Sequence, residues 1–339
     1  MKIGVCIVTY NHENYITQCI ESVLKQDYKG EVVIYIGEDN STDNSTDNTR
    51  DICLEYQRIY PDKIKLIQHD INLGLVKNTF DLFRCMQDDQ CDYIAMLDGD
   101  DYWCDKYKLS KEIKIFEENP NCGLVHSNIA LQYGNKIDLN VRHNIPSGNV
   151  WPVKFAIGNC SVIFKTGLLK YINGQDYVDR EFMSVDYPMY VTFSKYTEIH
   201  FLDDITAVWR RGHSSVSNTN DINKQIHYLQ NGARMWKYLD DLFGIFDATP
   251  ENIQQWVDNE SFNIAFNYSD YKLASKLRSK VSRIDKVSKI KKFVAKNYIF
   301  FKLYCFIDYI KKLNKCRSFI SLEKFTNLQN TATLNIHHL

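Results

Sequence analysis

Three carboxylates stand within four residues of one another in the segment Asp98-Gly-Asp-Asp-Tyr-Trp103. So many like charges repel one another unless a cation or several hydrogen-bond donors offset them. Carboxylate oxygens are hard ligands suited to Mg²⁺ or Mn²⁺, and such ions usually share their coordination with substrate phosphates. The alternative is a solvated acidic turn. Because apolar Leu97 precedes the segment and two aromatic residues end it, we favour a metal site.

Two further polar clusters follow strand-like runs near the start of the chain. The first, Thr9-Tyr-Asn-His12, offers a hydroxyl, an aromatic ring and an amide for a flat heterocycle; alternatively, Asn11 caps the following helix. The second, Gly37-Glu-Asp-Asn-Ser-Thr-Asp43, offers carboxylates that can accept a pyrimidine imide or ribose hydroxyls. Asx and Ser/Thr turns explain its serines and threonines, but they explain Glu38 and Asp39 less well.

Two weaker signals occur in the second half of the chain. Asp186 begins a helical pattern in Val185-Asp-Tyr-Pro188. The residues alone favour an ordinary N-cap at Asp186 with proline in the first turn of the helix. The segment Trp209-Arg-Arg-Gly-His213 follows a strand-like run and offers cations and an imidazole to a phosphate or a metal. A lone histidine is more often structural, so this second signal is weak.

Short β-branched runs alternate with longer helical patterns through the first 120 residues. The strand-like runs cover 3–8, 32–36, 63–67 and 93–97, and the helical patterns cover 13–25, 45–58, 75–86 and 106–118. This βαβα series predicts an α/β fold whose mostly parallel sheet is covered by helices on both faces. Ligands on such sheets bind beyond the carboxyl ends of the strands, where the polar clusters stand.

A mixed pattern follows Pro120. Strand-like pieces cover 123–126, 161–164, 198–202 and 205–209, with a helical pattern at 187–195 and a polar, loop-like stretch at 132–151. Helical patterns resume at Ile222, and Thr249-Pro-Glu251 has the composition of an N-cap followed by proline at the first helical position.

Charge is distributed unevenly along the 339 residues. The formal net charge of -1 argues against a polyanion-binding molecule as a whole. However, residues 272–317 carry 15 Lys or Arg against two Asp, and the last 22 residues are neutral, so the first 271 residues carry -14. The ten cysteines form no CxxC pair, and the N-terminal segment lacks the features of a secretion signal. We therefore expect free thiols and a cytoplasmic location.

Taken in order, these motifs resemble the inverting nucleotide-sugar glycosyltransferases of family 2, which have the GT-A fold. The segment 37–43 is similar to the acidic nucleotide motif of that family, and Asn72-Leu-Gly74 with Asn78 is similar to the segment that follows this motif. The segment 98–103 is similar to the DxD motif of the family, in the form found in a bacterial surface-polysaccharide branch. The resemblance continues through 106–109, 117–120, 158–161, 185–188 and 207–217. It covers residues 1–217 and implies a catalytic domain there, followed by a helical C-terminal extension at 218–339.

The resemblance also implies roles for individual residues. The base and ribose of the donor would be bound by Thr9, Tyr10, Asn11 and Asp39, and further donor contacts would come from Asn72, Asn78 and Asp98. Asp100 and His213 would bind the Mg²⁺ or Mn²⁺ ion on the donor diphosphate, and the diphosphate itself would be bound by Arg211 or its neighbour Arg210. Asp186 would be the general base. Two departures from the family pattern are a duplicated Asn-Ser-Thr-Asp after Asp39 and one extra residue between Arg210 and His213.

The basic C-terminal region contains a cationic amphipathic pattern between Val281 and Phe301. Its apolar residues recur at three- and four-residue spacing, and lysines occupy the opposite side. Lys302 and Asp308 interrupt the apolar run beyond, so it is a poor membrane-spanning segment. Two interpretations have equal weight: the helix lies on an anionic membrane surface, or it packs on the acidic body. Nucleic acid ranks third, because no recognition motif accompanies the charge.

Together these features predict a metal-dependent, inverting sugar transferase. Its donor would be a nucleotide-sugar such as a UDP-sugar, and its acceptor a hydroxyl of a growing surface polysaccharide or lipid-linked glycan on the inner face of the cell membrane. A sugar-phosphate nucleotidyltransferase is an alternative, although that class needs a glycine-rich loop after the first strand, where this chain has Thr9-Tyr-Asn11. A second alternative is a scaffold protein that binds a nucleotide without catalysing a reaction.

Overall fold

A computed structural model describes residues 1–41, 47–139, 147–149, 157–212, 219–282, 286–315 and 319–330. The chain divides into two units. The first comprises Met1–Arg211 together with the segment from Ile320 onward, and the second comprises Gly212–Phe319. His213 lies outside the described residues.

The first half of the first unit is a parallel sheet with a helix after each strand. Its strands are β1 (Lys2–Thr9), β2 (Glu31–Glu38), β3 (Ile64–Gln68) and β4 (Tyr93–Asp98), and its helices are α1 (Ile16–Leu24), α2 (Thr49–Ile59), α3 (Leu75–Asp88) and α4 (Lys108–Glu118). The strands lie in the order β3-β2-β1-β4, all parallel. The predicted βαβα series is confirmed, because near-continuous apolar strands are stable only between two helical layers.

The second half extends this sheet with mainly antiparallel strands. These elements are β5 (Tyr102–Trp103), β6 (Cys122–Tyr133), β7 (Lys136–Asp138), β8 (Ile163–Lys165), α5 (Gly174–Asp179), α6 (Asp186–Tyr196) and β9 (Glu198–Arg211), with 3₁₀ turns at Asn159–Ser161 and Thr166–Tyr171. Strand β8 joins β4 to β6, both in antiparallel fashion, while β6 and β9 are parallel. The two short strands expected at 198–209 are one long strand, whose pairing with β6 contains irregularities that absorb its polar middle.

Alternation along β1 divides the core into two layers. Ile3, Val5 and Ile7 pack in one cluster with residues of α1 and α4, whereas Cys6 and Val8 pack in the other with residues of α3. Successive side chains of a strand point to opposite faces, so both faces of the sheet are covered. Cys6 is fully buried in this strand and is a free thiol.

The second unit is built from helices. They are α7 (Ile222–Phe243), α8 (Pro250–Asn267), α9 (Tyr271–Leu277), α10 (Lys286–Val294) and α11 (Tyr298–Lys315). The predicted cap of α8 is confirmed: the Thr249 hydroxyl accepts the Asn252 N–H at 3.2 Å, and Pro250 is the first helical residue. The continuous amphipathic helix expected between Val281 and Phe301 is instead two helices, α10 and α11, with a break between them.

The chain returns to the first unit after α11, which the sequence did not indicate. Strand β10 (Ile320–Ser321) pairs antiparallel with β7, and α12 (Leu322–Asn330) buries Phe325 in a cluster that includes Tyr102 and Ile137. The region beyond residue 217 therefore contributes a strand as well as helices. In the part of the chain that the structure describes, no helix combines the length and apolar character that crossing a membrane requires.

Candidate functional site

The carboxyl ends of β1, β2 and β4 bring the three polar clusters of the first half together. In the sheet register Thr9 is opposite Glu38, and Val8 is opposite Asp98. The chain beyond each strand is tied to β1, since the Asp39 N–H donates to the Thr9 carbonyl at 3.1 Å and the Gly99 N–H to the Val8 carbonyl at 2.9 Å. The clusters therefore form one edge, as ligand sites of parallel sheets do.

Asp39 is held by the loop that precedes α3. Its buried carboxylate accepts the Leu73 N–H at 2.7 Å and the Gly74 N–H at 2.9 Å, one on each oxygen. The side chain of Asn72 accepts the same Gly74 N–H at 3.0 Å, and Gly74 has a left-handed φ of 81°. Each carboxylate oxygen has a further lone pair, so Asp39 is oriented by the protein and still able to accept hydrogen bonds from a ligand.

Glu38 and Asn78 are engaged within the fold. The fully buried Glu38 carboxylate accepts Arg50 Nε at 2.5 Å and the Ser41 N–H at 2.6 Å, which gives it a structural role. Asn78, also buried, donates to the Gly37 carbonyl at 2.9 Å, and its amide oxygen lies 3.2 Å from a ring nitrogen of His69. A Cβ at Gly37 would stand 2.0 Å from that amide oxygen, so only glycine fits beside Asn78.

The turn after β1 differs from a simple helix cap. Asn11 has a left-handed φ of 57° and its N–H donates to the Ser41 hydroxyl at 3.0 Å, but α1 begins at Ile16 with Tyr15 at the N-cap. The interpretation of Asn11 as the cap of this helix is therefore wrong. The Asn11 amide oxygen is buried and has no hydrogen-bond partner among the described residues, a costly state that a ligand N–H or O–H would relieve.

The other two residues of this turn differ in exposure. Thr9 is buried, with its hydroxyl 3.2 Å from a ring nitrogen of His12. Tyr10 is 40% exposed. An exposed ring at a strand end has a free face for stacking, as the binding of a flat heterocycle requires.

Asp98 is a half-buried carboxylate held by a turn far along the chain. The Asn159 amide donates to both Asp98 oxygens at 3.1 Å, and the Tyr190 hydroxyl donates to Asn159 Oδ1 at 2.6 Å. Burial, followed by the charges of Asp100 and Asp186, raises the pKa of Asp98 from 3.8 to about 7. Tyr190 lies one turn beyond Asp186 in α6, so its bond to Asn159 places the start of this helix near the acidic loop.

Asp101 and Arg210 close the other side of the acidic loop. Asp101 is 2% exposed and accepts the Arg210 N–H at 2.8 Å; burial and the charges of Asp100 and Asp98 raise its pKa well above the usual range. The Arg210 guanidinium donates to the Asp100 carbonyl at 2.5 Å and to the Gln18 side chain. The loop is thus largely buried rather than a solvated turn.

The two arginines differ in what surrounds them. Arg210 is 7% exposed and its guanidinium also lies 4.6 Å from the ring centre of Tyr102. Arg211 is half-buried, with its guanidinium 4.4 Å from the ring centre of Trp209. The Arg210 guanidinium therefore lies at the acidic loop, whereas the Arg211 guanidinium contacts an aromatic ring of its own strand.

Asp186 is the first residue of α6, and Val185 occupies the N-cap position. The interpretation of Asp186 as an ordinary N-cap is therefore wrong, although Pro188 does lie in the first turn. A cap carboxylate turns back to bind the first N–H groups of its helix. A carboxylate one residue further on contributes to the helix dipole and can still act on a ligand.

A buried ion pair behind the acidic loop was missed in the sequence. Lys108 and Glu112 are both 0% exposed and paired, and the Lys108 ammonium donates to the Ser161 carbonyl at 2.9 Å and lies 5.3 Å from the Trp103 ring centre. Burial raises the pKa of Glu112 to about 7. Lys108 thereby supports the 159–161 turn that holds Asp98. A Lys and a Glu four residues apart on a helix usually lie on its surface, so their spacing alone gave no sign of burial.

Within the described ranges, no three His, Cys, Asp or Glu side chains converge closely enough to hold a metal ion. The carboxylates of Asp98 and Asp100 are nevertheless hard oxygen donors whose mutual repulsion a cation would relieve. Such a set fits Mg²⁺ or Mn²⁺, which complete their coordination with substrate phosphates and water.

Comparison with known proteins shows what this domain is similar to. Residues 4–166 match the family model described as Glycosyl transferase family 2. The chain is 26% identical over 210 residues to the uncharacterized protein Rv1520 of Mycobacterium tuberculosis, a match that covers 60% of this chain and 57% of that protein. It is 35% identical over 130 residues to the dTDP-rhamnosyl transferase RfbG of Shigella flexneri, covering 38% of this chain and 42% of that one. The matches thus span about half the length of these relatives, 57% of the first and 42% of the second.

Two solved structures have a similar fold. Staphylococcus aureus TarS 1-349 in complex with UDP-GlcNAc superposes with a TM-score of 0.51 at 18% identity, covering 93% of this chain and 92% of that one. The mannosyltransferase PcManGT from Pyrobaculum calidifontis, in complex with GDP-Man and Mn²⁺, gives 0.53 at 13% identity, covering 90% and 87%. At these identities the likeness shows the fold, a GT-A sheet flanked by helices with a helical C-terminal region.

Proposed function

We propose that this chain, whose residues 4–166 match the family model described as Glycosyl transferase family 2, transfers a sugar from a nucleotide-sugar donor to an acceptor hydroxyl with inversion of configuration. The observation that carries the proposal is the link between α6 and the acidic strand-end loop: Tyr190, one turn beyond Asp186, binds Asn159, which binds Asp98. A donor-binding edge and a separate carboxylate are the two parts that a single displacement at an anomeric carbon requires.

The donor would bind at the carboxyl edge of β1 and β2. The exposed Tyr10 ring offers a stacking face, the Asn11 amide oxygen has no partner in the described part of the chain, and the Asp39 carboxylate is oriented by two backbone N–H groups. A uracil imide and ribose hydroxyls supply donors of the kind that these oxygens accept. A UDP-sugar is the donor we favour, in keeping with the UDP-GlcNAc bound by TarS.

The diphosphate of the donor would lie beside the acidic loop. We assign Asp100, with Asp98 beside it, as the protein ligand of a divalent ion, and Arg211 as the cation that binds the diphosphate. When bound, Mg²⁺ or Mn²⁺ stabilises the negative charge of the departing nucleoside diphosphate. Binding of such an ion also favours the ionised form of Asp98, whose pKa burial and Asp100 raise.

Asp186 would be the general base. It takes the proton from the acceptor hydroxyl as that oxygen attacks the anomeric carbon and the bond to the diphosphate breaks. One displacement from the opposite face inverts the anomeric centre without a covalent sugar intermediate. As the acceptor we propose a hydroxyl of a growing surface polysaccharide or lipid-linked glycan.

The first experiment is to incubate the full chain and Mn²⁺ with UDP-sugars, GDP-mannose and dTDP-rhamnose and to measure nucleoside diphosphate release. Asp186→Asn should lower turnover by about 10²–10⁴-fold while leaving donor affinity unchanged, because the amide keeps the shape but loses the basicity. The matched control is Asp51→Asn, since Asp51 is an exposed carboxylate in the first turn of α2, and it should behave as wild type.

Three outcomes would contradict the proposal. The chain would be a silent scaffold if it bound a donor but released no nucleoside diphosphate from any of them. Release of pyrophosphate from a sugar phosphate and a nucleoside triphosphate would indicate a nucleotidyltransferase. Near-normal turnover of Asp186→Asn would contradict only the assignment of Asp186 as the general base.

A further inference from the structure

The second unit exposes a large apolar surface on α10 and α11. Six of its large apolar side chains are 44–72% exposed: Phe293, Ile299, Phe300, Leu303, Phe306 and Ile307. We call these six residues the apolar face. Scattered exposed apolar residues are normal in proteins, but a contiguous group of this size marks an interaction surface.

The apolar face is additional to the surface with which α11 packs in its own unit. Phe301 is fully buried and, with partly buried Tyr304 and Cys305, contacts the core of α8 and α9. At 100° per residue, Ile299, Phe300, Leu303, Phe306 and Ile307 lie on the opposite side of the helix. Helix α11 is therefore apolar on two sides, and only one of them is needed to hold it in place.

The two helices share one continuous surface. The rings of Phe293 in α10 and Phe300 in α11 are stacked with their centres 6.3 Å apart. This contact joins the end of the first helix to the start of the second. The apolar face thus extends across the break between the helices.

Cations surround this surface. Residues 286–315 contain nine lysines against a single acid, Asp308. Lys289, Lys296, Lys302 and Lys311 are exposed beside the apolar side chains. An apolar strip bordered by lysines is complementary to a surface that is apolar below and anionic above, which is the boundary between acyl chains and phosphate headgroups.

We propose that α10 and α11 bind the surface of an anionic lipid bilayer. The apolar face enters the boundary between headgroups and acyl chains, and the exposed lysines bind the lipid phosphates. Lys302 and Asp308 interrupt the apolar run, so the helices lie in the plane of the interface. The proposal does not rest on the transfer reaction, because none of these residues belongs to the strand-end site.

Vesicle flotation of the full chain tests this surface. The protein should float at low salt with vesicles of phosphatidylcholine mixed with phosphatidylglycerol, bind pure phosphatidylcholine far less, and be released by added NaCl. Combining Phe293→Ser, Phe300→Ser and Phe306→Ser should weaken binding at least tenfold. The control pair Leu54→Ser and Ile59→Ser changes residues of α2 that are 38% and 50% exposed and should have no effect.

A second pair of variants tests the charges. Combining Lys289→Gln and Lys296→Gln should weaken binding about fivefold for each lysine removed, the fold-change that corresponds to about 1 kcal/mol. The control is Lys25→Gln with Lys114→Gln, whose side chains are each 70% exposed in the first unit. These controls should bind vesicles like the wild type.

Three results would overturn the proposal. One is that the full chain does not float with anionic vesicles at low salt. Another is that the Phe-to-Ser variant binds as well as the wild type. The third is that the full chain forms a dimer and does not bind vesicles, and that the Phe-to-Ser variant is a monomer. This result would mean that the apolar face pairs two copies of the chain. Donor cleavage measured without lipid reports on the transfer reaction separately, so either proposal can fail alone.

Discussion

Replacing Lys108 with Met should destabilise the protein strongly, because it removes the cation of a buried ion pair behind the acidic loop. Lys108 and Glu112 are both 0% exposed, and Lys108 also binds the Ser161 carbonyl. Removing one partner of such a pair costs about 3–5 kcal/mol, since the other charge stays buried without compensation. Met has nearly the length of Lys, so little of the loss comes from a cavity. We expect the free energy of unfolding to fall by about 3–5 kcal/mol at pH 8.

The size of this loss should depend on pH through Glu112. Burial raises the pKa of Glu112 from 4.5 to about 7, and Lys108 opposes that rise. A carboxyl group with a raised pKa stabilises the fold fully below its unfolded pKa, and this contribution is lost as the pH rises through the folded pKa. In the wild type, the free energy of unfolding that depends on Glu112 therefore stops falling above about pH 7. Without Lys108 the pKa is higher still, so the mutant continues to lose stability at up to about 1.4 kcal/mol per pH unit.

Urea unfolding followed by tryptophan fluorescence between pH 5.5 and 9 measures both effects. The difference between wild type and Lys108→Met should be constant below about pH 6 and grow above pH 7. Adding Glu112→Gln to the mutant should abolish that growth. The matched control is Lys114→Met, which breaks a pair with Glu118 of the same spacing on the same helix, where the side chains are 70% and 60% exposed. It should cost less than about 1 kcal/mol at every pH.

The reasoning about this pair would be refuted by either of two results. One is a loss below about 1 kcal/mol for Lys108→Met, which is the range of exposed pairs. The other is a loss that stays the same from pH 6 to pH 9. In both cases Glu112 would not be held as a buried charge in the folded protein.

The donor site leads to three further predictions. Asp100→Ala should abolish transfer and the Mn²⁺-dependent part of UDP affinity, because one hard oxygen ligand is lost; unchanged calorimetric affinity would contradict the metal assignment. Asn159→Ala should lower UDP-sugar affinity about ten- to a hundredfold, the equivalent of about 1.5–3 kcal/mol for a hydrogen bond to a charged group, because Asp98 loses its donor. Tyr190→Phe should have a smaller effect in the same titration, since it removes only the bond that orients Asn159; an equal or larger effect would mean that Tyr190 acts directly on the ligand.

Much of the first half of the fold was predictable because its determinants are local. Apolar runs such as 3–8 and 32–36 indicate strands buried on both faces, and each is followed by a helical pattern. Parallel strands necessarily end at one edge, so the meeting of the polar clusters near Thr9, Asp39 and Asp98 followed from their positions in the chain. The cap of α8 was predictable for the same reason, since Thr249 and Pro250 act within one turn.

Local rules failed where two arrangements have nearly equal local energy. Asn11 and Asp186 both have the composition of N-caps, yet the helices near them have Tyr15 and Val185 at that position. A cap contributes only about 1 kcal/mol, which tertiary packing readily outweighs. The cationic helix expected from Val281 to Phe301 is likewise divided into two helices. Val287 and Phe301 were expected on the same apolar face, but Phe301 is buried and Val287 is exposed.

The sequence by itself determined which residue types gather at the strand ends, and the tertiary structure decided which of them are buried and what holds them. Asp98 is bound by Asn159, 61 positions along the chain, and Asp101 by the backbone of Arg210, 109 positions away. No periodicity links residues so far apart, because such partners are selected by the packing of whole elements. The burial that raises the pKa of Asp98 arises in the same way, since desolvation depends on every segment that excludes water from a site.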